Sequence, residues 1–225
     1  MEELIKKSTL IQKGAEASLY RGKWFDRQVI FKYRIPKNYR LEKLDKKIRV
    51  KRTLNEARAL IKVKTYGLNV PQVYEIDTKN ALIIMKFIKG KKLKDVIEIL
   101  EENKLKLYFK QIGSMISTLH NHGHIHGDIT TSNLILTPTE DIFLIDFGLH
   151  EYSDSVEDKS VDLHLLKRVL ISSHGSSFRI CFKSFLEGYR SGYSPHKVNL
   201  CNNIINTINV IESRGRYVKK QERLF

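Results

Sequence analysis

The sequence predicts an α+β fold, a small antiparallel sheet followed by a set of helices. Three observations predict it. Short strand-like runs, several bounded by turn signals, recur before residue 86, with one long helical stretch among them. Helical periodicity takes over from about residue 112. Between the helical segments two short apolar runs, Leu134–Leu136 and Ile142–Ile145, flank Pro138-Thr139-Glu140-Asp141, which is a hairpin layout.

Taken in order, Leu10 to Tyr20 reads as a strand, a tight turn at Lys13-Gly14 and a second strand. Val29 to Lys32 is the next strand. A basic helix follows over about Leu44 to Lys64, with Leu54, Ala57 and Leu60 or Ile61 at helical spacing. Val70 to Tyr74 and Ala81 to Met85 complete the sheet. Ile112, Met115, Ile116 and Leu119 form one face of a helix that runs into His120, His122, His124 and His126. These histidines lack companion cysteines at zinc spacing, and His126 is expected to brace the following loop by hydrogen bonding. Asp162 opens an apolar helix containing Leu165, Leu166, Val169 and Leu170. It could cap that helix; the alternative, bonding the loop backbone, is what the resemblance described below implies. Phe178 to Leu186 and Val198 to Ile211 complete a helical core.

The chemistry concentrates at residues 126–133, His-Gly-Asp-Ile-Thr-Thr-Ser-Asn, followed thirteen residues after Asn133 by Asp146-Phe147-Gly148. A hairpin turn centred between Thr139 and Glu140 would set Asn133 across from Asp146, with Asp128 one short loop earlier. Two carboxylates and one amide carbonyl form an oxygen set suited to a hard cation such as Mg²⁺ beside substrate phosphates. An apolar hairpin has no structural need of them.

Charge adds a second theme. The 225 residues carry a formal net charge of +15, enough to favour a polyanionic partner. Residues Lys32 to Lys64 hold thirteen Lys and Arg against Glu42, Asp45 and Glu56, and Arg214 to Lys220 is basic again. At least one of these stretches is expected to touch RNA. Cys181 and Cys201 form no disulfide framework, which points to a reducing compartment. The acidic start Met1-Glu2-Glu3-Leu4 does not read as a signal peptide, and no apolar run approaches spanning length, so no membrane role is expected.

The loop and the Asp-Phe-Gly together resemble the catalytic half of the protein-kinase superfamily, H-R-D-x-x-x-x-N followed by D-F-G. That resemblance implies a small bilobal protein-kinase-like fold, with an antiparallel-sheet N-lobe (1–88), a trimmed helical C-lobe (89–212) and a basic C-terminal tail (213–225). It implies Asp128 as the catalytic residue that orients or deprotonates the acceptor hydroxyl, and Asn133 and Asp146 as magnesium ligands. Lys32 would contact the α- and β-phosphates, with Glu56 as its ion-pair partner. Gly14, Ala15, Glu16 and Ala17 would cover the phosphates, although only Gly14 matches a glycine of the usual motif. Met85, Phe87 and Ile88 would form the adenine hinge. Gly127 stands where an arginine is usual, which argues against switching by activation-loop phosphorylation.

The fuller set resembles the p53-related protein kinase family, the kinase subunit of the KEOPS (EKC) complex. It comprises Gly14-Ala15-Glu16-Ala17, Lys32-Tyr33-Arg34, the 126–133 block, Ile145 to Leu149, Glu157 to Leu163 and Arg214-Gly215-Arg216. Residues 39–56 look closer to eukaryotic members. The resemblance implies a serine/threonine protein kinase or ATPase using Mg²⁺ and ATP, in support of threonylcarbamoyladenosine formation at tRNA position 37. Implied partners are the threonylcarbamoyltransferase subunit, a small subunit docking on the N-lobe, and tRNA. Arg214, Arg216, Lys219 and Lys220 would serve the tRNA- and partner-facing tail. The implied compartment is the cytoplasm, with the nucleus a second one. The chain departs from the family at Lys86, where Glu is usual, and in the run Tyr217 to Phe225. Two rival readings stand beside it, a nucleotide-binding scaffold for tRNA and a small-molecule phosphotransferase.

Overall fold

The computed structural model describes residue 5 and residues 7–221, with side chains as far as Arg214. The fold is α+β. The chain forms two compact units, Met1–Gly90 with Thr137–Gly148, and Lys91–Leu136 with Leu149–Phe225. Asp146 therefore belongs with the sheet-bearing unit.

In the first unit, β1 (Thr9–Lys13), β2 (Ser18–Trp24), β3 (Arg27–Tyr33), β4 (Val73–Asp77) and β5 (Leu82–Lys86) form one antiparallel sheet in the order β1-β2-β3-β5-β4. Side chains alternate across it. Val29 and Phe31 join Leu82 and Ile84 in a buried cluster, with Tyr20, Trp24, Tyr33 and Tyr74 packed around it. Ile30 and Lys32 therefore point to the opposite face, where Ile83 and Met85 are their register partners. The helix α1 (Glu42–Lys64) buries Glu56, Ala57, Leu60 and Val63.

The strand expected from Val70 begins instead at Val73. Pro71 has no amide hydrogen to give a ladder, although the Gln72 carbonyl still accepts the Lys86 amide at 2.8 Å. The turn after β8 (Leu134–Leu136) also differs from expectation. The Thr137 amide donates to Asp141 O at 3.0 Å, so the turn is centred on Thr139, with Glu140 in the left-handed region at φ 63°. The half-residue shift removes the premise that set Asn133 opposite Asp146. The following strand β9 (Ile142–Leu144) is anchored within the first unit by the Leu144 amide, which donates to Asn69 O at 2.9 Å.

The second unit is built on helices. It holds α2 (Glu102–Asn121), α3 (Val156–Ser173), α4 (Phe178–Ser191) and α5 (Val198–Gln221). Ile112, Met115, Ile116 and Leu119 are buried, as their periodicity requires. Helices α2 and α4 cross at backbone contact. A Cβ added at Gly113 would lie 2.0 Å from Phe185 O, and one at Gly188 would lie 1.9 Å from Lys110 O. Two small ribbons complete the unit: β6 (Lys91–Lys92) pairs with β8, and β7 (His124–Ile125) pairs with β10 (Glu151–Tyr152).

Helix α3 starts at Val156, six residues before Asp162. Its cap is Ser155, whose hydroxyl accepts the Glu157 and Asp158 amides. Asp162 is therefore no cap. Helix α5 passes Glu212 without a break and continues to Gln221. Among the described residues, no helix is long and apolar enough to cross a membrane.

Candidate active site

In the first unit the site is an ion cluster on the inner face of the sheet. Lys32 Nζ lies 2.6 Å from Glu56 Oε1 and 2.7 Å from Asp146 Oδ1. The lysine is on the central strand, Glu56 is on the buried face of α1, and Asp146 follows β9. Burial works against the Lys32 charge, yet the Glu56 and Asp146 carboxylates outweigh it and hold its pKa above the ordinary lysine value. Asp146 is the exposed member, its side chain 44% accessible, and its backbone is left-handed at φ 64°. The Gly148 amide donates to Asp146 Oδ1 at 3.1 Å and helps hold that turn.

A second buried cation completes the cluster. Arg34 Nη2 donates to Glu56 Oε2 at 2.7 Å, so each oxygen of Glu56 meets a different cation. Arg34 is 2% exposed, and its Nε and Nη1 have no hydrogen-bond partner among the described residues. The sequence reading gave Arg34 no role. The signal was present: residues two apart on an extended strand share a face, and two buried cations there require carboxylates.

The loop before Ser18 is held mainly by its own backbone. The Gly14 amide donates to Ala17 O at 2.9 Å. Arg52 pairs with Glu16, and this hydrogen bond lowers the Glu16 pKa below the usual carboxylate range. Lys37 donates to Ala15 O. At the predicted hinge, Met85 is buried on β5, and the Lys86 and Phe87 amides are spent on Gln72 O and Gln28 O. The Phe87 ring lies under the Arg21 guanidinium at 4.3 Å. Sheet pairing thus takes the Phe87 amide away from any ligand. The Ile88 amide has no such partner among the described residues.

In the second unit the site is the loop after β7. Asn133 Nδ2 donates to the Asp128 backbone oxygen at 3.0 Å and to Asp128 Oδ2 at 2.8 Å. That arrangement turns the Asn133 amide oxygen, the atom a hard cation would use, away from the Asp128 bond. The Asp128 amide donates to His126 Nδ1 at 3.2 Å, so His126 does brace the loop.

Asp162, fully buried on α3, holds the same loop from beneath. Its Oδ2 accepts the His126 amide at 2.7 Å and its Oδ1 the Gly127 amide at 2.8 Å. His120 Nε2 lies 3.3 Å from Asp162 Oδ2, and His120 Nδ1 lies 2.8 Å from the Tyr189 hydroxyl. Tyr189 in turn meets the Tyr193 hydroxyl at 2.8 Å. Burial pushes the His120 pKa down despite Asp162. A neutral His120 that donates to Asp162 and accepts from Tyr189 satisfies the chain. Gly127 has φ 81°, and a Cβ there would lie 2.5 Å from Leu149 O, so the backbone leaves no place for an arginine.

Of the predicted tail residues, Arg214 Nη1 is 2.6 Å from Glu157 Oε1, an exposed pair. The side chains of Arg216, Lys219 and Lys220 lie outside the described residues.

The sequence model described as the RIO domain matches residues 23–161, more than half the chain, from the end of β2 into the first turns of α3 and stopping one residue short of Asp162. The chain belongs to the RIO-domain family. Among curated proteins it is similar to the KEOPS complex subunit Bud32 of Pyrococcus abyssi, at 44% identity over 92% of this chain and 96% of that protein. It is also similar to a probable bifunctional tRNA threonylcarbamoyladenosine biosynthesis protein of Methanocaldococcus jannaschii, at 41% identity over 93% of this chain and 37% of that protein. These likenesses place it in the Bud32, or p53-related kinase, branch of RIO-domain proteins. Neither likeness tests the eukaryotic character read in residues 39–56.

As a RIO-domain protein, the chain is a kinase- or ATPase-type enzyme. Lys32, Glu56, Asp128, Asn133 and Asp146 all fall inside the matched domain, while Gly14 to Ala17 and the basic tail fall outside it.

Proposed function

We propose that this RIO-domain chain is the Mg²⁺- and ATP-dependent subunit of a KEOPS assembly, acting in threonylcarbamoyladenosine formation at tRNA position 37. The names carried by its relatives support the pathway. The observation that carries the chemistry is Lys32 held between Glu56 and Asp146. A buried lysine kept charged by two carboxylates is a ready phosphate contact once a nucleotide draws it from Asp146.

Each residue then has a role. Glu56, steadied by Arg34, keeps Lys32 in place when Asp146 turns to other work. Asp128 orients or deprotonates the attacking hydroxyl or water, with its position set by Asn133 and His126. Asn133 and Asp146 are the proposed magnesium ligands; their oxygen donors suit that ion. Magnesium, when bound, neutralises charge on the phosphates. Met85 and the Ile88 amide serve the adenine, and Gly14 to Ala17 cover the phosphates. The acceptor is a serine hydroxyl in the kinase reaction and water in the ATPase reaction. Partners are the threonylcarbamoyltransferase subunit, a small subunit on the sheet-bearing unit, and tRNA, in the cytoplasm and nucleus.

The test is magnesium-dependent ATP turnover by wild type and Asp128→Asn, with and without the transferase partner and tRNA. Turnover that needs Asp128 and rises with the partner supports the reading. Equal turnover by both folded proteins would sink it, and nucleotide binding without turnover in any condition would leave a scaffold.

A further inference from the structure

Helix α1 has two opposed faces of different chemistry. At roughly 100° per residue, Asp45, Glu56, Leu60 and Val63 fall on one side, and all four are buried. Lys43, Lys46, Lys47, Lys51 and Arg58 fall on the other, and all five are exposed. None of the five meets a carboxylate among the described residues, whereas Arg49 and Arg52, off that face, are taken up by Asp45 and Glu16. Glu42, one turn before Lys46, is exposed at the edge of that face and pairs with none of the five among the described residues. Val50 and Leu54 floor an open groove between the cations.

We propose that this outer face of α1 is an RNA-binding surface that grips the phosphate backbone. The inference rests on the tRNA-linked reading above and assigns the contact to named residues. Three features point to RNA. First, Lys43 to Arg58 covers about 22 Å at 1.5 Å per residue, a length that meets several consecutive phosphates of one strand. Second, four of the five cations are lysines on flexible stems, which suits contact with point charges and not a single shaped ligand. Third, Asp45, Glu56 and Glu16 are paired with other cations, and Glu42, exposed on the same helix, pairs with none of the five among the described residues. Leaving them unpaired costs folding stability through mutual repulsion, and a polyanion relieves that repulsion. Arg58 and the short apolar floor add the stacking and packing that sugar and base edges can use.

The face is distinct from the catalytic cluster, although the same helix carries both. Glu56 points inward to Lys32 and Arg34, and the lysines point outward. Substitution of the outer lysines therefore leaves the ion cluster intact. Glutamine keeps helix propensity.

The experiment measures binding of an unmodified tRNA transcript across a salt series. It compares the full-length protein, the triple variant Lys43→Gln/Lys47→Gln/Lys51→Gln, and the charge-matched control Lys110→Gln/Lys183→Gln/Lys197→Gln. Polyglutamate binding by the same three proteins is measured in parallel. The expected result is a loss of about tenfold or more in tRNA affinity for the α1 variant, with the salt slope reduced by about 2 to 3. The control should lose much less. Equal losses in the two variants, with tRNA still bound by wild type, would overturn the surface and leave the tRNA-linked reading standing. Loss of polyglutamate binding alone would also overturn it, in favour of an acidic protein partner. A wild-type protein that binds no tRNA would overturn both.

Discussion

Asp162 accepts the Gly127 amide at 2.8 Å across 35 residues of sequence. With its other oxygen on the His126 amide, it suspends the loop carrying Asp128 from helix α3. Because the carboxylate is fully buried, its loss leaves two amides and His120 without their acceptor. Asp162→Ala should cost about 3 to 5 kcal/mol of stability. Asp162→Asn, which keeps one acceptor oxygen, should cost less. Chemical denaturation midpoints at constant slope check the order, and equal losses would remove the hydrogen-bond account.

Catalytic predictions separate by unit. Asp128→Asn and Asp146→Asn should fold as wild type, since Asp128 is partly exposed and the Asp146 side chain is 44% accessible. Each should lower magnesium-dependent turnover by about a hundredfold or more. Arg34→Met frees one oxygen of Glu56 without touching Lys32. It should raise the KM for ATP more than it lowers kcat, because its effect passes through the placement of Lys32. Steady-state kinetics on the three variants distinguishes these outcomes.

The helix crossing at Gly113 and Gly188 is a packing prediction. Alanine at either position drives a methyl into backbone of the facing helix, at 2.0 Å from Phe185 O or 1.9 Å from Lys110 O. Backbone cannot rotate away as a side chain can, so Gly188→Ala should cost about 3 kcal/mol or more. A thermal midpoint unchanged from wild type would mean that α2 and α4 separate freely.

Acid stability should track His150. Burial, and after it the charge of His124 and His126, pushes its pKa down to about 4. Its Nε2 lies 2.8 Å from His124 Nδ1, and both rings pack against Tyr152. The folded ring refuses a proton that the unfolded chain takes near pH 6.5. Stability is therefore full above about pH 6.5 and falls as the pH drops toward about 4, by up to roughly 1.4 kcal/mol per pH unit. His150→Asn should flatten melting temperature against pH across that window. An unchanged profile would assign the acid loss to other groups, His120 first among them.

Much of this was legible in the chain itself. The order of strands and helices followed from apolar spacing, and β3 and α1 needed almost no revision. The errors fell where local signals compete. Pro71 lies in an apolar run but cannot donate to a ladder, so β4 starts at Val73. The turn at Pro138 to Asp141 admits more than one centre, and Glu140 accepts the left-handed conformation that selects one of them. Asp162 carried both of its possible roles in the sequence, and Ser155 takes the cap that would have been one of them.

By itself the sequence determined the types and spacing of the proposed catalytic residues, the alternation that turns Lys32 inward and the excess of positive charge. These are properties of short windows, where backbone geometry dictates which side chains share a face. Only the tertiary structure decided the partners. Glu56 divides its oxygens between Lys32 and Arg34, Asp162 serves the loop and not its own helix, and Gly127 and Gly188 stand where neighbouring backbone leaves no room for a Cβ. Such choices depend on which distant groups are buried together, because a desolvated charge or amide must find its partner wherever packing has put one.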